Sequence, residues 1–285
     1  MKPLFVWAGG KNKMLKHYLP LMPDHINEYC EPFFGAGAMF IYVMKNYNPN
    51  NVIINDVNSD IIRIYDCIKN NYDEFIKRLN YLESQYIPKL NRKDVKRDER
   101  WQYFMDVRNK HAYDYEKWSK PKEAATLYFL MKVGFNGIYQ LNKNTNGRYG
   151  TPPGLMNQKD MIYDRDVLKW WNEVLQKVDI RSGNWDAACC LNDAFYFFDP
   201  PYRDSYADYG NKFTDEELLR LIDFSNNQKK VFICNRDSSD GWFEKNKKDL
   251  NMKTFPVTYT AGRRKKLKDS FEAKKATEVL LYNNY

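Results

Sequence analysis

Short apolar runs recur along the chain. Each is closed by small, acidic or proline residues and followed by a stretch with helical spacing. The first run, Glu28-Tyr29-Cys30-Glu31-Pro32-Phe33, ends in Phe34-Gly35-Ala36-Gly37-Ala38 and gives way to a helix from Met39 to Lys45. The second, Asn51-Val52-Ile53-Ile54-Asn55-Asp56, precedes a helix that Ser59 is placed to cap. The third, Ala194-Phe195-Tyr196-Phe197-Phe198, runs into Asp199-Pro200-Pro201-Tyr202, and the stretches Lys230 to Asn235 and Ala276 to Tyr282 read as two further strands. Strands that alternate with helices predict an α/β fold with a doubly wound sheet, whose ligands sit beyond the carboxyl ends of the strands.

The middle of the chain has a different texture. From Tyr72 to Trp118 the spacing is helical, charged and rich in tyrosine, and Glu123 to Lys132 is helical again, with Pro121 tolerated in the first turn. Asn146-Gly147 then separates two strand-like stretches and predicts a β-hairpin between Asn136 and Pro152. These features divide the chain into a core of residues 1–65 and 180–285 and an inserted, mainly helical domain of residues 66–179.

Composition narrows the class. A hydrophobic fraction of 43% and an aromatic fraction of 16% belong to a folded chain, not a disordered one. No run of about 18 apolar residues is present, so no membrane span is expected. The N-terminus lacks the pattern of a secretory signal, so a cytoplasmic setting is expected. Five cysteines without C-x-x-C spacing and three scattered histidines predict neither a disulfide framework nor a metal site. The net charge of +8 suits a polyanionic partner.

The candidate chemistry lies at the strand ends. The lone pair of an exocyclic amine on a base is delocalised into the ring, which makes the nitrogen a poor nucleophile. The Asp199 carboxylate and the Pro200 carbonyl are two acceptors that can hold its two N–H groups and free that pair. Pro200 and Pro201 stiffen the backbone so that little reorganisation is needed at reaction. Tyr202 offers a face on which an extruded base can stack. Gly35 and Gly37 allow close approach of backbone to a ligand, but a third glycine at dinucleotide spacing is missing, which argues against a nicotinamide cofactor. Asp56 ends its strand where an acidic residue can accept hydrogen bonds from ribose hydroxyls. In Phe5-Val6-Trp7-Ala8-Gly9-Gly10-Lys11, the glycines leave room for a methionine moiety and Lys11 can pair with its carboxylate.

Taken together, and in this order, the segments Trp7-Ala8-Gly9-Gly10-Lys11, Phe33 to Gly37, Asp56, and Asp199 to Tyr202 resemble the Dam-type, alpha-ordered D12 class of DNA adenine-N6 methyltransferases. Phe135-Asn136-Gly137, Phe213 to Glu217 and Ile233-Cys234-Asn235 extend the resemblance over nearly the whole chain. It implies a Rossmann-like sheet that uses S-adenosylmethionine, no metal, and an inserted target-recognition domain. The reaction implied is methylation of N6 on an adenine flipped out of double-stranded DNA. By the same resemblance Trp7, Gly9, Lys11, Phe33, Gly35, Asp56 and Asp199 meet the cofactor, with Trp185 or Asp186 near its adenine ring. Phe135, Asn136, Ile138, Gln140, Asn142 and Pro152 face DNA, and Arg263 and Arg264 meet phosphates.

Two positions depart from the pattern. Many members that read GATC carry arginine where Gln140 stands and lysine where Val6 stands. Arginine grips guanine bidentately while glutamine pairs with adenine, so a GATC target does not carry over. Methylation of cytosine N4, methylation of an RNA amine, and a DNA-binding relative with a degenerate cofactor pocket remain as alternatives. A companion restriction endonuclease is compatible with the resemblance.

Overall fold

The computed structural model describes residues 1–7, 9–89, 98–154, 161–203, 213–259, 265–267, 270–272 and 274–284, with the backbone alone at 259, 265–267, 270–272, 274 and 284. The strands are β1 (Glu28–Glu31), β2 (Asn51–Asp56), β3 (Val178–Ser182), β4 (Phe195–Phe198), β5 (Lys230–Asp237), β6 (Asn251–Tyr259), β7 (Lys265–Leu267), β8 (Ser270–Glu272) and β9 (Lys274–Asn284). A seven-stranded sheet has the order β3-β2-β1-β4-β5-β9-β6, and β7 pairs with β8 separately. The fold is thus mixed α/β, as expected of a methyltransferase. Two compact units can be distinguished, one from residues 1–12, 35–45 and 56–183, the other from 13–34, 46–55 and 184–285.

The second unit holds the parallel heart of the sheet. β1 runs parallel to both β2 and β4, and β4 runs parallel to β5. β9 enters antiparallel beside β5 and carries β6 on its other side. Order reverses between β1 and β4, the switch point at which open α/β sheets bind ligands. The side chains of β4 divide by strand periodicity. Tyr196 and Phe198 pack on Phe224 of the helix Asp215–Asn226, whereas Phe195 and Phe197 face Phe232 and Tyr18 respectively. With both faces covered, all four β4 residues are buried, which explains the unbroken aromatic run in the sequence. Thr214 caps the helix by accepting from the Glu217 N–H at 3.3 Å, and three acidic residues in its first turn favour the dipole.

The first unit is mainly helical, with helices Ser59–Asn70, Tyr72–Tyr86, Glu99–Asp114, Lys120–Val133 and Arg165–Leu175. Lys120–Val133 is buried around most of its circumference, from Pro121 and Glu123 to Val133, and is therefore a central helix rather than an amphipathic one.

Several expectations need correction. β1 stops at Glu31, before Pro32, which has no N–H to donate to a ladder. Asn58, not Ser59, caps the helix Ser59–Asn70, because Asn58 has the extended backbone and its side chain accepts from the Asp60 N–H at 3.1 Å. β3 and β6 were not anticipated, since both are mixed-polarity stretches without an apolar run. Among the described residues, no helix is long and apolar enough to cross a membrane.

Candidate active site

The catalytic candidates sit in the second unit, beyond the carboxyl end of β4 and next to the end of β1. Asp199 is half-buried, Pro200 buried, and Pro201 and Tyr202 half-buried. Phe33, on the loop after β1, packs edge-on against Phe198 and Phe213 at 6.4 and 5.4 Å between ring centres. The far side of the tetrapeptide is tied down. The Tyr202 hydroxyl lies 2.9 Å from both carboxylate oxygens of Glu278. Arg203 grips Asp215 with two nitrogens at 2.9 and 3.0 Å, reaches Asp240 at 2.8 Å, and lies over the Trp242 ring. The hydrogen bond to Asp215 leads in holding the Arg203 guanidinium protonated well beyond its ordinary range. Asn235, at the end of β5, accepts from the Arg203 backbone N–H at 3.4 Å. Trp185 is part of the core, edge-on to Phe198, with its indole N–H donating to Glu217 at 3.2 Å. Asp186 is exposed and pairs with Arg220 at 2.8 Å.

The nucleoside-binding candidates Trp7, Gly9, Lys11, Gly35 and Asp56 lie in the first unit. Gly35 has φ +50°, and its amide donates to Asp56 Oδ2 at 2.9 Å. Asp56 Oδ1 accepts from the Asn58 N–H at 2.9 Å. A carboxylate offers about four acceptor sites, so these two amides leave capacity for the two hydroxyls of a ribose. Burial raises the Asp56 carboxyl to about 6, against the pull of the Asn58 and Gly35 amides. The ring of Trp7 lies over Gly35, where a Cβ would come within 2.7 Å of its Cδ1, so this close approach requires glycine. Gly9 also has a left-handed backbone, φ +79°. The buried Lys11 donates to the Gly9 carbonyl at 2.9 Å. The acceptor set and the glycine backbone fit a nucleoside cofactor.

The segment 135–152, also in the first unit, presents a row of exposed side chains. Phe135 and Ile138 are 41% and 44% exposed, and Asn136, Gln140, Asn142 and Pro152 are exposed as well. The Asn146-Gly147 turn forms with both residues left-handed and an Arg148 N–H to Thr145 carbonyl bond of 2.9 Å. The flanks pair at isolated antiparallel bridges, Leu141 with Tyr149 and Gly134 with Pro153, and the Thr151 hydroxyl donates to the Ile138 carbonyl at 2.7 Å between them. Between the two bridges the chain passes through the short helical turn Phe135–Gly137, with Asn136 at φ 53°, so no continuous ladder forms, and Asn142 closes the tip by accepting from the Asn144 N–H. Arg263 and Arg264 lie outside the described residues.

Residues 7–253 match the family model described as D12 class N6 adenine-specific DNA methyltransferase. The chain belongs to this family. It is 32% identical to the type II methyltransferase M.MjaIII of Methanocaldococcus jannaschii over 79% of each chain. Identity is 28% to the type II methyltransferase M1.LlaDCHI of Lactococcus lactis, over 99% of this chain and 95% of the other. The DNA adenine methylase of Escherichia coli K12 is 25% identical over 92% and 91%.

In this D12-class methyltransferase, residues that the sequence did not single out support the 135–152 segment from behind. Tyr139 packs against Trp7 at 5.7 Å and donates to Asp60 at 2.7 Å. Arg148, two residues past Asn146, is drawn inward to Asp60 and Glu123 at 3.3 and 3.4 Å and stacks over Tyr115 at 3.8 Å. Glu123 also meets Arg63 at 2.8 Å and His111 at 3.0 Å. Burial acts to raise the Glu123 carboxyl, but the His111 hydrogen bond and the Arg63 charge hold it below its ordinary value. Sequence separations of 25 and 88 residues for the Arg148 contacts left no local signal.

Proposed function

We propose that this D12-class enzyme is a site-specific, adenine-specific DNA methyltransferase that transfers a methyl group from S-adenosylmethionine to N6 of an adenine flipped from duplex DNA. The observation that carries the reading is the Asp199-Pro200-Pro201-Tyr202 loop, held at the carboxyl end of β4 beside the β1 loop, with Tyr202 and Arg203 anchored behind it. When bound, S-adenosylmethionine supplies an electrophilic methyl group on a positively charged sulfur. Asp56 accepts from the ribose hydroxyls, Gly35 lets the backbone approach the nucleoside, and Lys11 and Trp7 serve the methionine end. Phe33, with Trp185 or Asp186, flanks the adenine. Asp199 and the Pro200 carbonyl each accept one N–H of the target amine, which turns its lone pair outward, and Asp199 receives the released proton. Tyr202 stacks on the extruded base.

In this reading, residues 66–179 form a target-recognition domain inserted into a catalytic domain of 1–65 and 180–285, and the hairpin-like segment Asn136–Pro152 enters the major groove. Phe135 and Asn136 fill or hold the duplex beside the flipped base, and Arg263 and Arg264 meet phosphates. The type II methyltransferase names among similar proteins support pairing with a restriction endonuclease. The protein acts in the cytoplasm, where such DNA is found. No metal takes part.

The test is to methylate unmodified duplex DNA with the purified protein and S-adenosylmethionine, then digest the product to nucleosides. N6-methyldeoxyadenosine is expected. N4-methyldeoxycytidine, or methylation confined to RNA, would overturn the assignment.

A further inference from the structure

β9 lies in the interior of the sheet, between β5 and β6. From Val279 to Leu281 its residues are apolar and fully buried. Glu278, immediately before them, is only 2% exposed. A carboxylate at such a position is costly unless its oxygens meet donors, so its presence requires an explanation. Its oxygens both face the Tyr202 hydroxyl at 2.9 Å, across 76 residues of sequence. On the neighbouring strand, Arg236 is the direct register partner of Glu278, and its guanidinium carbon is 5.9 Å from the centre of the Tyr202 ring.

We propose that Glu278 is a positioning residue for methyl transfer, fixing the plane of the Tyr202 ring by its hydroxyl end so that the ring is set to receive the flipped base. This inference rests on the assignment of Tyr202 as the stacking residue. An aromatic side chain turns about two torsions. Stacking needs its face to point one way, and ordering that ring only when the base arrives would take free energy from the flipped state. A charge-assisted bond from the phenol to a carboxylate carried on an interior strand orders the ring beforehand. The two prolines before Tyr202 fix the backbone, and Glu278 fixes the opposite end of the side chain.

The experiment is a double-mutant cycle on the full chain with duplex substrate. Tyr202→Phe removes the hydroxyl and keeps the ring, while Glu278→Met keeps the volume and removes the acceptor. Each single variant should lower kcat about tenfold, with KM for DNA changed less than about twofold, and the double variant should be no slower than either. Glu278→Gln, which retains an acceptor, should recover most of the loss. With 2-aminopurine in place of the target adenine, the two singles should change the bound-state emission alike. Independent, multiplying losses in the cycle would overturn the proposal, as would a Glu278→Met variant that melts earlier but turns over normally. If Glu278→Met fails to fold by circular dichroism, the comparison of Tyr202→Phe with Glu278→Gln decides. A Tyr202→Phe variant that lowers kcat and shifts emission while Glu278→Gln stays near wild type supports the anchor, and a Tyr202→Phe variant that matches wild type in kcat and emission, or a Glu278→Gln loss that multiplies in full with that of Tyr202→Phe, rejects it. Failure of the underlying reading has a different signature: the wild type yields no N6-methyladenine, or Tyr202→Ala retains full activity.

Discussion

Asp56 is a buried carboxylate whose proton affinity ties folding to pH and, on the proposed assignment to the ribose, ties cofactor affinity to pH as well. Its folded value of about 6 lies above the ordinary carboxylate value of 3.8. The folded state therefore holds the proton more tightly than the unfolded chain, so the contribution to stability is fully present below about 4 and is lost as pH rises through about 6. Accepting two ribose hydroxyls needs the ionised form. S-adenosylmethionine binding followed by calorimetry should therefore strengthen between pH 5 and pH 7 with a midpoint near 6, and Asp56→Ala should bind weakly with no such midpoint. A flat profile in the wild type would remove Asp56 from the ribose site. On the proposed mechanism position 199 needs charge and direction, so Asp199→Ala should lower turnover by more than about a thousandfold while DNA binding measured by anisotropy persists. Gln140 is exposed on the 135–152 segment. Sequencing of methylated sites should show a changed outer base when Gln140→Arg is compared with the wild type, since arginine selects guanine where glutamine pairs with adenine.

The element that carries the DNA-facing candidates is held by charges turned away from solvent. Arg148 bonds to Asp60 and Glu123, and Tyr139 bonds to Asp60. Arg148→Ala would leave these buried carboxylates with fewer cations, costing about 2 kcal/mol, a central value for a partly screened pair. Thermal melting should register the loss as a lower Tm, together with relaxed site preference. Gly134 at the root of the segment is instructive. Its backbone angles, φ −68° and ψ 161°, are open to any residue. Glycine is needed because an added Cβ would strike the Tyr149 hydroxyl and approach the Leu130 carbonyl at 2.7 Å. Tyr149 in turn donates to that carbonyl at 3.1 Å. Gly134→Ala should therefore loosen the segment and raise KM for DNA more than it lowers kcat.

Over the whole molecule, the +8 net charge makes association with DNA a salt-dependent equilibrium. Displaced counterions predict that raising salt from 50 to 200 mM weakens binding at least about tenfold, in a manner insensitive to the target sequence. The four signature segments, the strands β1, β2, β4, β5 and β9, and the reaction class were legible in the sequence. Each rests on local cues: an unbroken apolar run for a strand buried on both faces, glycine where backbone approaches closely, and prolines that restrict the backbone just past β4. Family membership followed from the order of those segments. Tertiary structure alone decided what stands behind them. Glu278 meets Tyr202, Arg203 joins Asp215 to Asp240, and Arg148 turns inward to Asp60 and Glu123. Each pair joins charges or dipoles from distant parts of the chain, and a side chain's charge does not reveal its partner. Backbone periodicity is written residue by residue, whereas ion pairing and ring orientation depend on which strands and helices the fold brings side by side.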